Sequence, residues 1–150
     1  MRALIQRVSE AAVAIGGKNV AEIEHGLLVL LGIENADTEA DITWLSNKIT
    51  NLRIFPDENE VMNKSIQDAK GSIIVVSQFT LQASIKKGNR PSYLKAAKPD
   101  ISIPLYEKFV EILKLTSLCP VGTGEFGADM KVKLINDGPV TIWMDSKDKQ

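Results

Sequence analysis

"GLLVLLGI", Gly26 to Ile33, holds nothing but apolar residues and glycine, and does not alternate with polar ones. A strand covered on one face alternates, whereas this run is apolar on both faces and too short for a buried helix. It therefore reads as a central strand with material packed on each side. "GSIIVV", Gly71 to Val76, has the same character. Two such strands require a sheet with layers above and below it.

The flanking sequence supplies those layers. Ala3 to Val8 alternates as a strand, and Ala11 to Ile15, the turn Gly16-Gly17-Lys18-Asn19 and Val20 to Ile23 read as a hairpin. A first helix is predicted to open at Asp37, acidic in its first turn and apolar along Ile42, Leu45, Ile49 and Leu52. A second is predicted near Ser102, with Pro104 in its first turn and a stripe of Leu105, Phe109, Ile112 and Leu113. Met130, Val132 and Leu134 alternate against Lys131 and Lys133, then "NDGP" reads as a hairpin turn before a strand from Val140 to Met144. The order β, β, β, β, α, β, α, β, β predicts an α+β fold, with largely antiparallel sheets as a barrel-like core and two main helices packed outside. A chain of 150 residues, 44% hydrophobic and 25% charged, fits one domain spanning 1–150. The tail SKDKQ is expected to fray.

Several function classes are excluded or disfavoured. A net charge of −1 gives no global attraction to nucleic acid, so any phosphate contact must be a local patch. The lone Cys119 allows neither an internal disulfide nor a Cys-rich metal site, and an inert thiol is its simplest reading. No segment has signal-peptide or membrane-span character, so a soluble cytoplasmic protein is expected. The single histidine, His25, closes a hairpin strand, where a structural or surface role is expected; a Ser-His-Asp relay or His-rich metal centre cannot be built around it. Glu34, Asp37, Glu39 and Asp41 cluster where a helix dipole and solvent account for them.

Hydroxyls and glycines remain. "SQFTL", Ser77 to Leu81, ends the second buried strand. It is either a strand becoming solvated as it leaves the core or a pocket floor, with Ser77, Gln78 and Thr80 offering polar groups beside the ring of Phe79. Thr80 has no general base within the motif, which argues for positioning a substrate rather than attacking it. Just downstream, "KKGNRPSYLKAAK" carries Lys86, Lys87, Arg90, Lys95 and Lys98, with no acid between Gln82 and Pro99. This is either a solvated loop or a local phosphate-binding patch with Tyr93 among it.

Taken together, "ALIQRV", "GLLVLLGI", "RIFPDE" followed by "MNKS", "VVSQFTL", "GNRPSY", "TGEFGADM" and "NDGPVTIW" resemble the D-aminoacyl-tRNA deacylase family along nearly the whole chain. SQFTL and NDGPVT in this order and separation are the specific part. The resemblance implies a homodimer that hydrolyses the ester joining a D-amino acid to the acceptor 3′ end of tRNA. It also implies removal of glycine from mischarged tRNA, with no metal or organic cofactor.

The catalytic group it implies is Ser77, Gln78, Phe79 and Thr80. Gly138-Pro139 corresponds to a cis peptide that reaches into the partner's pocket and selects handedness with main-chain atoms. Arg7 resembles the arginine that fixes those carbonyls, although a solvated strand arginine is the plain alternative. Met130 is expected in the pocket wall or, equally, in the core. Lys86, Lys87 and Arg90 are the expected RNA contacts. Gln82, the stretch Ala83-Ser84-Ile85 and Gly127 depart from the family pattern and bear on contact with the terminal adenosine. A non-catalytic RNA-binding module and a conventional serine or threonine esterase are the rival readings.

Overall fold

The computed structural model describes residues 1–149. One strand organises it. β1 (Arg2–Ile15) pairs antiparallel with β3 (Gly26–Gly32) along its first half and with β2 (Lys18–Ile23) along its second. On its other side it pairs throughout with β8 (Met130–Asp145), also antiparallel. β3 then pairs parallel with β6 (Ser72–Ser77), and β6 parallel with β7 (Val121–Thr123). A Cβ built on Gly122 of β7 would stand 3.2 Å from the Ala21 side chain of β2, so the sheet curls nearly into a barrel. β4 (Phe55–Pro56) and β5 (Met62–Lys64) form a separate small ribbon.

The two unbroken apolar runs are explained by which core each side chain enters. Leu27, Val29 and Leu31 of β3, with Ile73 and Val75 of β6, face the helices α1 (Glu39–Asn51) and α2 (Pro99–Ser117). Leu28, Ile74 and Val76 face inward, against Val8, Ala11 and Val13 of β1. Successive side chains point to opposite faces of a strand, so a strand lying between two cores needs apolar residues at every position. Gly26 permits the close approach of β3 and β6, because a Cβ there would lie 1.8 Å from the Ser72 carbonyl oxygen.

Several expectations change. The segments Ala3–Val8 and Ala11–Ile15 are one strand, since the polar pair Ser9-Glu10 sits in a register shift rather than a turn. "NDGP" is not a hairpin turn. Both of its flanks pair with β1, Asn136 opposite Val8 and Thr141 opposite Gln6, so Asp137, Gly138, Pro139 and Val140 loop out against the single residue Arg7. Alternation on both sides of a Gly-Pro pair looks the same for a hairpin and for a bulge; only the third strand distinguishes them.

Both helices also start elsewhere than expected. α1 opens at Glu39 behind the N-cap Thr38, whose N–H donates to the Asp41 carboxylate at 2.8 Å. α2 opens at Pro99, which occupies the first-turn position that needs no N–H donor, so Pro104 lies inside the helix.

Finally, Asp37 and Asp41 are buried rather than solvated, and the tail is tied down. The Met1 amino group pairs with Asp37 and donates to Ser146 Oγ at 2.8 Å. Ser146 donates to Asp41 at 2.6 Å, and Lys147 Nζ donates to Asp41 at 2.8 Å. Burial works to raise the Asp41 pKa, but the hydrogen bonds from Lys147, Ser146 and Thr38 outweigh it and hold the carboxyl well below its usual range. Gln150, the last residue of that tail, lies outside the described residues.

Candidate active site

β6 ends at Ser77, and the chain bends at once into a 3₁₀ turn, Phe79–Gln82. Gln78 N–H donates to the Leu31 carbonyl at 2.7 Å, which pins the bend to the end of β3. The turn's own bonding begins at Leu81, whose N–H reaches Gln78 O at 3.3 Å. The Phe79 and Thr80 N–H groups therefore head the turn and have no carbonyl within it to meet. The Gln78 side chain donates to Thr80 Oγ1 at 2.6 Å, so the hydroxyl is held by an amide and not by a base. Underneath, buried Gln82 donates to the Gly32 carbonyl at 3.2 Å, and Arg2 donates to Leu81 O at 2.9 Å.

A cavity of about 330 Å³ opens on this bend. Ser77, Gln78 and Phe79 line it together with Phe126, Met130 and, from the first turn of α2, Ser102. Ser77, Gln78 and Phe79 of SQFTL thus line the cavity, as does Met130, whereas Thr80 and Leu81 are not among its lining residues. Phe126, Ser102 and Ala97 were not singled out as site residues from the sequence; Phe126 stood within the quoted "TGEFGADM" and Ala97 within "KKGNRPSYLKAAK", while Ser102 reaches the site by the packing of α2. The carboxylate at the rim, Asp129, is engaged by Lys131 at 2.9 Å. His25 is remote, exposed and 2.9 Å from the Ala69 carbonyl. Cys119 donates to Ser117 O at 3.2 Å, and burial pushes its thiol upward, as befits an inert group.

The second group gathers at the β8 bulge. Gly138 has φ +138°, and a Cβ there would stand 2.7 Å from Val140 Cγ2 and 3.1 Å from Arg7 Nη2, so only glycine fits. The Gly138-Pro139 peptide is cis, and both residues are exposed. Arg7 holds the bulge: its Nε donates to Asp137 O at 2.9 Å, its Nη1 to Ile54 O at 2.5 Å, and the Asp137 carboxylate lies 3.5 Å away. Gly138, Pro139 and Arg7 do not line the cavity of their own chain.

The third group lies on the connection from the 3₁₀ turn to α2. Ser84 and Ser92 exchange backbone hydrogen bonds at 2.8 and 2.9 Å, closing a tongue that presents Lys86, Lys87 and Arg90 to solvent. No group of three or more histidine, cysteine or acidic side chains gathers to hold a metal ion among the described residues. Nor is any helix among them long and apolar enough to cross a membrane.

Comparison with known proteins bears on the same residues. The family model described as D-Tyr-tRNA(Tyr) deacylase matches residues 4–145, from β1 through the bulge to the end of β8. The chain belongs to that family. D-aminoacyl-tRNA deacylases of Flavobacterium johnsoniae and Flavobacterium psychrophilum are 63% and 64% identical to it over 150 residues, covering 100% of both chains in each case. A solved structure described as c-Myc DNA Unwinding Element Binding Protein has 40% sequence identity and a TM-score of 0.91 over 97% of this chain and 98% of its own. Membership makes the chain a hydrolase of the aminoacyl-tRNA ester bond, with a D-aminoacyl-tRNA as its substrate.

Proposed function

We propose that this chain acts as one domain in a cytoplasmic homodimer, hydrolysing D-aminoacyl-tRNA and glycine mischarged on tRNA, and judging handedness with main-chain atoms. The observation that carries the reading is the division just described. A cavity with polar groups and headed N–H groups lies in one place, and an arginine-braced Gly-Pro bulge stands exposed in another. In a symmetric dimer each bulge can enter the partner's cavity, and an isologous interface completes both sites at once.

In this reading the carbonyls of the Gly138-Pro139 segment accept from the substrate's ammonium group, and Arg7 keeps them aimed. An L-substrate must drive its side chain into main chain that cannot move aside. Overpacking of that kind costs roughly 1–3 kcal/mol or more, a discrimination of about 5- to 150-fold for each contact that cannot relax. Selection at the α-carbon leaves the side chain free to vary. Glycine has no side chain to clash, so steric exclusion of L-residues admits it.

For the chemistry, water adds to the ester carbonyl, with the terminal ribose 2′-hydroxyl assisting proton transfer. The N–H groups around Phe79 and Thr80 stabilise the oxyanion. The bond to the ribose oxygen breaks, that oxygen takes the proton, and the free amino acid and tRNA leave. Thr80 orients the substrate and is never acylated, in keeping with a hydroxyl that meets Gln78 and no base.

The test is single-turnover incubation with D-Tyr-tRNA, L-Tyr-tRNA, D-Tyr-tRNA ending in 2′-deoxyadenosine, and a free D-tyrosine ester. Turnover of the first alone is expected. Thr80→Ala should slow it by about tenfold, whereas losing a true nucleophile costs up to about 10⁶-fold. Cleavage of the 2′-deoxy substrate, together with an inert Thr80→Ala, would reverse these roles. A second reading, nucleic-acid binding without turnover, is favoured by the unpaired basic tongue and by the name of the 40%-identical structure. It predicts retention of intact D-Tyr-tRNA on the protein.

A further inference from the structure

Beside the cavity stands an aromatic pair that the chemistry above leaves unused. Phe79 lines the cavity yet is 56% exposed, and its ring meets that of Tyr93 edge to face, with centroids 5.1 Å apart and planes at 73°. Tyr93 is 40% exposed, and Leu94 beside it 91%. Large apolar side chains left open together mark a contact surface more often than chance.

The ring is not loose. The Ser84–Ser92 bridge closes immediately before Tyr93, and Ala97 N–H donates to Ile33 O at 2.9 Å just after it, so both ends of the segment are anchored to the body of the protein. An edge-to-face pair leaves ring faces available for a third flat partner.

The segment that carries Tyr93 holds only positive charge, with no acid between Gln82 and Pro99. Lys86, Lys87, Arg90, Lys95 and Lys98 are all exposed, and none makes an ion pair within 4.0 Å among the described residues. Stacking rings inside a cationic track are the signature of single-stranded nucleic acid binding, in which the backbone follows the charge and successive bases stack on the rings. A protein surface patch would not need so much unpaired positive charge, and a duplex would not expose base faces to a ring.

We propose that Tyr93, supported by the edge of Phe79, stacks the base of the penultimate nucleotide of the tRNA 3′ end, with Lys86, Lys87 and Arg90 following the phosphates upstream. The inference rests on the deacylase reading and deepens it. Phe79 fixes the register: it touches both the cavity that takes the aminoacylated terminal nucleoside and the ring of Tyr93, so the nucleotide leaving the cavity meets Tyr93 next.

The test is a double cycle: wild type and Tyr93→Ala, each assayed on D-Tyr-tRNA and on D-Tyr-tRNA with an abasic penultimate nucleotide. Removing one base stack should raise KM for the intact substrate by about tenfold or more, with kcat little changed. The wild type should suffer the same rise on the abasic substrate, and Tyr93→Ala no further rise there. Tyr93→Phe should stay within about twofold of wild type, and Tyr93→Leu, which keeps volume without a ring, should match the alanine variant. An equal KM effect of Tyr93→Ala on both substrates, or none on either, overturns the stacking assignment. Wild type that turns over neither substrate overturns the deacylase reading itself and the stacking with it.

Discussion

Replacing Arg7 by lysine separates the positioning of the β8 bulge from the stability of the fold. The guanidinium spans two carbonyls, Asp137 O at 2.9 Å and Ile54 O at 2.5 Å, with its side chain only 11% exposed. An ammonium keeps the charge but offers a single point of donation and cannot bridge two acceptors that a planar fork reaches together. One charge-assisted hydrogen bond is then lost, roughly 1.5–3 kcal/mol.

If that energy holds the bulge in place, kcat/KM for D-Tyr-tRNA falls by about 10- to 150-fold, at 1.4 kcal/mol per tenfold. The rate with L-Tyr-tRNA falls less or rises, because the device that rejects it has loosened, and the D-to-L ratio drops by about tenfold. Global stability falls by no more than the same energy, a Tm change of about 10 °C or less in a chain of this size. Single-turnover deacylation of both substrates, run beside thermal unfolding, reads all three quantities. A variant with a lowered Tm and an unchanged D-to-L ratio would show Arg7 to be structural only and refute the reasoning.

Replacing Lys86, Lys87 and Arg90 together by alanine should weaken tRNA binding and flatten its dependence on salt; three lost phosphate contacts on a single strand reduce the log–log slope by about 2, measurable by titration at several salt concentrations. Tyr106→Phe removes the hydroxyl that donates to Val75 O at 2.9 Å and should cost about 1 kcal/mol in urea unfolding. Burial pushes that phenol from 10.0 up to about 12, so its neutral form is the one the fold prefers. Its stabilisation is complete below pH 10 and is lost as pH climbs toward 12, and the phenylalanine variant should lack this alkaline limb. Asp41→Asn should lower stability by about 2 kcal/mol at pH 7. The folded carboxyl titrates below its unfolded value, so the stabilisation is present above pH about 4 and fades as pH falls below it; the variant's stability should vary less than the wild type's between pH 5 and pH 3.

The sheet was legible where burial leaves a mark on every residue. β3 and β6 lie between two cores, which forces apolar side chains at consecutive positions, and no other element of this chain requires that. The helices were legible by their stripes but not at their starts, because Thr38 and Pro99 carry the boundary information while Asp37, the residue before the one cap, and Pro104, five residues into the other helix, carry look-alike chemistry. β4, β5 and β7 have two or three residues each, too few to show a period. The buried network of Met1, Asp37, Asp41 and Ser146 was invisible for a different reason: acids at a helix start and a charged tail are each accounted for by solvent until the fold brings them together across 105 residues of sequence.

The site divides the same way. SQFTL could be read locally, because a buried strand that turns polar within one residue must either leave the core or line something, and here it does both: Ser77, Gln78 and Phe79 line the cavity, and Thr80 is exposed. NDGPVT could not. Its flanks alternate as a hairpin would, and the information that they lie on one strand belongs to β1, more than a hundred residues away, where Arg7 alone faces Asp137 to Val140. A lone arginine in an alternating strand has no distinguishing context in sequence; its contacts follow from register, since a bulge of this length leaves carbonyls off the ladder and the long forked donor opposite reaches one of them, Asp137 O, while its other arm reaches Ile54 O. The bulge and its brace are thus one feature written in two distant places, which a single-residue reading of either would miss.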